Sequence, residues 1–280
     1  MSAEAKKVNF EQRELGCSSF LRDAMSGVDV SPLLFAELPG WPAILRVGEM
    51  ADPDFFERMK KKHPDGYIIG VGAGVIFSMI EGFDNETQPK GIVIVDVNPG
   101  VIAFAEVLID ELKASSSPGD FEKRFFHQSK VEYQDKFKAK VAGKKSRRFH
   151  DQIEICKDLE NFRNAPSEVW SEQRFVLRPH MIPVPKLLVQ NFPVLKRLAD
   201  NNNIAAIYAD ITNPFLVQTI RSLPDFNSLV NIIYLSNAFE SSELSHQDFQ
   251  KKVAPLNTSG KSVFVEAVRE KVDLRLEIIS

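Results

Sequence analysis

Three glycines within five residues form the part of this sequence that is best suited to bind a small ligand. The run Gly70-Val71-Gly72-Ala73-Gly74 begins inside one apolar segment and leads directly into another. Glycine has no Cβ and tolerates positive φ, so a turn built from it can approach a ligand closely. The amides at the start of a following helix favour a negatively charged group. The run therefore predicts a site for a ligand that carries a carboxylate or a phosphate.

The spacing of these glycines distinguishes between two kinds of cofactor. A dinucleotide fingerprint requires the pattern G-x-G-x-x-G or G-x-G-x-x-A. Its last position is Val75 when counted from Gly70, and Phe77 when counted from Gly72. Neither frame fits, so a nicotinamide-dependent reductase is only the third hypothesis for this chain.

Two acidic residues follow other buried segments and are candidates for binding polar groups of a ligand. Asp96 ends the β-branched run 91–95, and Asp210 follows the apolar run 204–208. A carboxylate can accept hydrogen bonds from neighbouring hydroxyls or from an amino group. Both residues also have a structural interpretation, Asp96 as a strand end beside the helix cap Asn98 and Asp210 as part of a turn.

The apolar pattern predicts the elements that position these residues. Continuous β-branched runs are typical of strands that are covered on both faces in a parallel sheet. Helices are predicted after Asp52-Pro53, Asn98-Pro99 and Asn213-Pro214, because Asp or Asn caps a helix and proline suits its first position. The last two strands are joined too tightly to be parallel and predict a hairpin. Predicted strands are 67–71, 91–95, 204–208, 229–235, 262–268 and 273–279, with further helices near 75–81 and 245–253.

These elements predict an α/β fold, a Rossmann-like three-layer sandwich whose mostly parallel sheet ends in an antiparallel hairpin. In such sheets the ligand binds beyond the carboxyl ends of the strands, where the strand order reverses. The predicted organisation is a helical or irregular segment (1–65), a cofactor-binding domain in two pieces (66–112 and 204–280), and a long insertion between them (113–203) that is a candidate substrate lid.

The G-x-G-x-G run resembles the first motif of the class I S-adenosylmethionine-dependent methyltransferases. The segment 95–105 is similar to the second motif of that family, which implies that Asp96 binds the ribose hydroxyls. The segment 209–212 is similar to the next motif, which implies that Asp210 accepts a hydrogen bond from the adenine amino group. The resemblance assigns S-adenosylmethionine binding to Gly70, Val71, Gly72, Gly74, Asp96, Val97, Asp210, Ile211 and Ser236.

The methyl acceptor is not identified by the sequence. The segment 235–240 occupies the family's fourth-motif position beside the methyl group, which makes Asn237 a catalytic candidate. His180 is a second candidate, because it lies in a proline-stiffened part of the insertion. The sequence lacks the Asp/Asn-Pro-Pro-aromatic signature of amino-group methyltransferases, and Ile68 replaces the family's usual acid. These departures motivate an alternative function, an inactive methyltransferase-fold binding or scaffold protein.

Composition excludes several other classes of function. A formal net charge of -3 gives no overall cationic field for nucleic acid or anionic membranes. The longest uncharged stretch, 66–80, is shorter than the roughly 20 residues that a membrane span requires. The two cysteines are far apart and the five histidines lack metal-ligand spacing, so we expect a cytoplasmic protein without a metal. The basic run 136–148 is interpreted as a solvated loop in preference to a phosphate site.

Overall fold

A seven-stranded β-sheet with helices on both faces forms the centre of the protein in the computed structural model. The structure describes residues 49–50, 53–72, 75–84, 86–96, 99–126, 136, 140, 188–236, 244–257, 260–270 and 273–279.

The elements follow one another in the alternating order that the sequence predicts. In chain order they are β1 (Glu49–Met50), α1 (Pro53–Lys60), β2 (Tyr67–Val71), a 3₁₀ helix (Val75–Gly82), β3 (Gly91–Asp96), α2 (Pro99–Ala114), α3 (Pro118–Phe126), α4 (Phe192–Asp200), β4 (Ile204–Tyr208), α5 (Pro214–Arg221), β5 (Ile232–Ser236), α6 (His246–Val253), a short 3₁₀ helix (Ala254–Leu256), β6 (Val263–Glu270) and β7 (Asp273–Ile279).

The strand order is β1-β7-β6-β5-β2-β3-β4. Every neighbouring pair is parallel except β6 and β7, which form an antiparallel pair. The predicted α/β class, the mostly parallel sheet and the antiparallel hairpin are confirmed. The sheet does not end at the hairpin, however, because β1 adds a parallel strand beside β7.

The strand order reverses between β2 and β5. From β2 the chain proceeds to β3 and β4 on one side, and then crosses to β5 and β6 on the other. β2 pairs with β5 directly, with Ile68 beside Ile232 and Gly70 beside Tyr234. The reversal is the position at which open α/β sheets bind ligands, and the predicted glycine run begins there.

Alternating side chains divide the core into two layers, one on each face of the sheet. The layer beneath α1 to α4 contains Phe55, Phe121 and Leu195, all 0% exposed. The layer beneath α5 and α6 contains Ile220 and Phe249 at 0% and 1% exposure. Complete burial of such a side chain contributes roughly 1.5–3 kcal/mol, so both helix layers hold the sheet firmly.

The core layer beneath α1 to α4 includes residues outside the predicted cofactor-binding domain (66–112 and 204–280). α1 lies within 1–65 and α3 and α4 lie within 113–203, yet all three bury side chains in the same core as β2 and β3. The carboxylate of Glu111 on α2, with its side chain 4% exposed, binds Arg124 of α3 and Lys136. Residues 127–135, 137–139 and 141–187 of the predicted insertion lie outside the described residues.

The basic run 136–148, for which the sequence predicts a solvated loop, contributes two cations to ion pairs. Besides the pair between Lys136 and Glu111, Lys140 Nζ lies 2.6 Å from Asp110 Oδ2. These two lysines therefore contact α2 instead of projecting only into solvent. The other members of the run lie outside the described residues.

The helix after the glycine run is a 3₁₀ helix, whereas the sequence analysis predicted a helix without specifying its type. All of its residues except Glu81 are buried, so it has no solvent-facing stripe of the kind that an amphipathic α-helix presents. Ser78 Oγ donates a 2.6 Å hydrogen bond to the carbonyl of Val75. Glu81 accepts a 2.7 Å hydrogen bond from Asn191 Nδ2, which ties the helix to the start of α4.

Candidate functional site

The carboxyl ends of neighbouring strands bring the predicted cofactor residues to one edge of the sheet. Gly72 follows the last residue of β2, Asp96 ends β3, and Ser236 ends β5. Neighbouring strands are about 4.8 Å apart, so the ends of β3 and β5 lie about 10 Å from each other on either side of β2. This separation suits a single site for one small molecule.

Gly72 has the conformation that a ligand-binding turn requires. Its φ is +85°, in the left-handed region that favours glycine. A Cβ added at this position would meet no atom of the described residues within 4 Å. The backbone therefore turns here beside open space, and nothing in the described part of the fold explains the need for glycine by packing.

Gly70 has a different role. A Cβ at this position would lie 2.6 Å from the carbonyl oxygen of Tyr234 and 2.8 Å from its Cβ. The space beside Gly70 is thus filled by the adjacent strand β5, not left for a ligand. The sequence pattern predicts close approach of a ligand at this glycine, whereas the structure shows close approach of β2 and β5.

The hydroxyl of Tyr234, on the strand β5 that pairs with β2 beside Gly70, is a polar group that the described contacts do not explain. The side chain is 1% exposed, and the hydroxyl oxygen has no hydrogen-bond partner among the residues that the structure describes. Tyr234 belongs to the same core layer as Ile94, which pairs with Gly70, and alternation places Asp96 on that face too. A buried polar atom without a partner is rare, and an incoming ligand can supply one.

Asp96 and Asp210 are adjacent at the carboxyl edge, because the amide of Ala209 donates a 3.1 Å hydrogen bond to the carbonyl of Asp96. Both acidic residues are half-buried. Asp210 Oδ1 accepts hydrogen bonds from the amide and hydroxyl of Thr212, at 2.7 and 2.8 Å. Oδ1 of Asp210 therefore has the structural role in the turn that the sequence allows. Oδ2 is the oxygen to which a ligand would donate a hydrogen bond.

The remaining predicted residues fall into two groups. Ile211 is 3% exposed in the core layer beneath α5, and Val71 packs partly against that layer. Their side chains therefore serve packing, so that these side chains are not ligand contacts in this structure. Gly74, Val97, Asn237 and His180 lie outside the described residues.

Two residues that the sequence analysis did not select meet beside Ser236. Glu266 on β6 pairs in register with Ser236, and its Oε2 lies 3.7 Å from Nε2 of His246, the first residue of α6. Its other oxygen, Oε1, is buried and has no hydrogen-bond partner within the described ranges. The available signal was the charge of Glu266 within the otherwise apolar run 263–268.

A protein-family model matches most of this chain. The model of a family described as "Domain of unknown function (DUF7790)" matches residues 53–278, which extends from α1 into β7. No curated protein matches the chain. Within the part of the chain that the structure describes, no helix combines the length and apolar character that a bilayer span requires.

Proposed function

We propose that this chain, which belongs to the DUF7790 family of unknown function, is an S-adenosylmethionine-dependent methyltransferase with a class I, Rossmann-like cofactor site. The observation that carries the proposal is the position and shape of the turn at Gly72. It lies at the strand-order reversal, has a positive φ and faces open space. Asp96 ends the neighbouring strand, so a polar anchor lies beside the turn.

The donors and acceptors at this edge fit the chemistry of the cofactor. S-adenosylmethionine has a carboxylate, a ribose diol and an adenine amino group, and it has no pyrophosphate. The turn that contains Gly72 offers backbone amides to the carboxylate. Asp96 offers two oxygens to the ribose hydroxyls, and Asp210 Oδ2 offers an acceptor to the adenine amino group.

The cofactor, when bound, supplies a methyl group that is already activated by the positive charge on sulfur. The task of the protein is therefore orientation of the reactants and exclusion of water. Gly72 fixes the direction of the backbone and Asp96 fixes the ligand at the next strand. The two helix layers hold the strands that lead to this edge, because residues of β2, β3 and β5 are buried on both faces of the sheet.

Calorimetric titration of the full chain with S-adenosylmethionine tests the proposal. We expect saturable binding that Asp96→Asn weakens by about 10–100-fold, since hydrogen bonds to a charged group contribute about 1.5–3 kcal/mol. Asp225→Asn is the matched control. Asp225 lies in the turn before β5, at the opposite edge of the sheet, with its side chain 67% exposed and a φ of +60° that asparagine accepts.

Circular dichroism must show that each variant is folded at the titration temperature. The control is expected to bind as the wild type does. Absence of binding heat for the folded wild type at millimolar cofactor, or equal affinities for the wild type and Asp96→Asn, would reject the proposal.

A ligand-binding protein without transferase activity is the second candidate function. It is favoured by Ile68, which stands where the methyltransferases carry an acid and is 0% exposed in the first core layer. That side chain cannot bind a cofactor. The two functions differ in transfer of labelled methyl from S-adenosylmethionine to cell-extract fractions, which only the enzyme performs.

A further inference from the structure

We infer that Glu266 and His246 form the subsite for the methyl acceptor, and that the acceptor presents an N–H or O–H group to Glu266. This inference rests on the proposed function. The carboxylate of Glu266 is the group that would receive the hydrogen bond, and the imidazole of His246 forms the neighbouring wall of the subsite.

The position of Glu266 follows from the register of the sheet. It pairs with Ser236, the last residue of β5, while β5 itself pairs with β2 at the strand-order reversal. Two strand intervals of about 4.8 Å separate β6 from β2, so Glu266 lies on a strand about 10 Å from the one that carries the Gly72 turn. Both strands end at the carboxyl edge, with Glu266 on the face beneath α6 and Asp96 on the opposite face, so a cofactor and an acceptor would meet beyond the strand ends.

The pairing of β5 with β6 is irregular at this level. Tyr234 pairs with Val265 and Ser236 with Glu266, so Leu235 is an extra residue in β5. Bulges are rare between parallel strands, and they occur preferentially near active sites, where they redirect side chains. After this extra residue, Ser236 at the end of β5 pairs with Glu266 of β6.

The orphan oxygen of Glu266 is the observation that indicates a ligand. The side chain is 14% exposed, and Oε1 is buried with no partner among the described residues. Leaving a buried acceptor without a hydrogen bond costs about 1–3 kcal/mol, and more for a charged group. A donor from a ligand removes that cost, and a carboxylate favours N–H and O–H donors over groups that have no polar hydrogen.

The contact with His246 does not itself account for burying Glu266. The two atoms are 3.7 Å apart, and the imidazole is 48% exposed. An ion pair of such exposure contributes roughly 0–1 kcal/mol. If the carboxylate were purely structural, its replacement would be destabilising, whereas a carboxylate kept for binding is expected to be replaceable without loss of stability.

The test uses Glu266→Gln, which keeps the shape and removes the charge, with Glu57→Gln as the matched control. Glu57 is exposed on α1, on the other face of the sheet. The probes are small amines, alcohols and thioethers of matched size. Binding is followed by NMR of the His246 ring resonances, assigned with His246→Gln, in full-length protein saturated with cofactor.

We expect the amines or alcohols, but not the thioethers, to shift the His246 resonances in the wild type and in Glu57→Gln. In Glu266→Gln their affinity is expected to fall at least tenfold, while cofactor affinity and Tm stay at or above wild type. The amine and alcohol arms distinguish nitrogen from oxygen acceptors.

Three results would overturn the inference: equal probe binding by wild type and Glu266→Gln, no probe binding by protein that does bind cofactor, or a clearly lowered Tm for Glu266→Gln. Failure of the wild type to bind cofactor contradicts the proposed function instead. The probe titration is then repeated without cofactor, where absence of binding overturns the inference as well.

Discussion

Replacing Gly70 by alanine tests how closely β2 and β5 approach each other at the strand-order reversal. The new methyl group would lie 2.6 Å from the carbonyl oxygen of Tyr234 and 2.8 Å from its Cβ. Favourable contacts between such atoms occur at about 3.5–4.0 Å, so the overlap is about 1 Å. Because the nearest atom belongs to the backbone, rotation of the tyrosine side chain cannot relieve it. One strand must move.

Overpacking of a core costs about 1–3 kcal/mol, and we expect the upper end for Gly70→Ala because β5 is held in register by a strand on each side. A loss of about 3 kcal/mol lowers Tm by about 6–12 °C in a chain somewhat smaller than this one. Urea denaturation and thermal melting of the full chain measure both quantities.

Gly72→Ala is the matched comparison for Gly70→Ala. It meets no described atom within 4 Å, so only its left-handed backbone opposes the substitution, at a cost of about 1–2 kcal/mol. A Gly70→Ala protein that unfolds like the wild type, or that loses less stability than Gly72→Ala, would refute the close approach of the two strands.

Two further substitutions test contacts elsewhere in the fold. Asn231→Ala removes a side chain that is 0% exposed, accepts from the Tyr67 amide at 2.9 Å and donates to the Phe226 carbonyl at 2.8 Å. Urea denaturation should show a loss of about 2–4 kcal/mol, and a loss under about 1 kcal/mol would contradict these contacts. Ser245→Ala removes the cap of α6, and should cost about 1 kcal/mol and raise the pKa of Asp248, which the hydrogen bond from Ser245 lowers from its ordinary 3.8. A carboxyl whose pKa is lowered by folding stabilises the protein at pH above its unfolded-state pKa, and this contribution is lost as the pH falls through its folded-state pKa. Because Ser245→Ala removes the cause of the lowered pKa, the variant should lose less stability than the wild type on acidification. A carboxyl NMR titration in which the pKa of Asp248 is unchanged would contradict the assignment.

The strands of the sheet were predictable where β-branched runs end at polar or glycine residues. β2 and β4 have the predicted bounds, and β3 is longer by Asp96 alone. β5 begins at Ile232 and not at Leu229, because Val230 is hydrogen-bonded to the loop that precedes β2. Val230 exchanges hydrogen bonds with the segment 65–66, which an apolar run does not reveal.

The roles of individual site residues were less predictable than the elements that carry them. Gly70 and Gly72 are identical in the sequence pattern, but only the pairing of β2 with β5 shows that one serves packing and the other faces open space. Glu266 and His246 lie on different elements and meet only because α6 and β6 contribute to the same core layer. Such meetings depend on tertiary packing, which single-sequence patterns do not encode.

The short strand β1 affects how this protein can be shortened in the laboratory. Glu49 and Met50 pair with Leu274 and Arg275 and cover part of the outer side of β7. Expression of a fragment that starts at α1 would remove this cover and leave backbone amides and carbonyls on a long strand open to other molecules. Exposed strand edges promote aggregation, so insolubility of such a fragment would reflect the missing cover and not an unstable core.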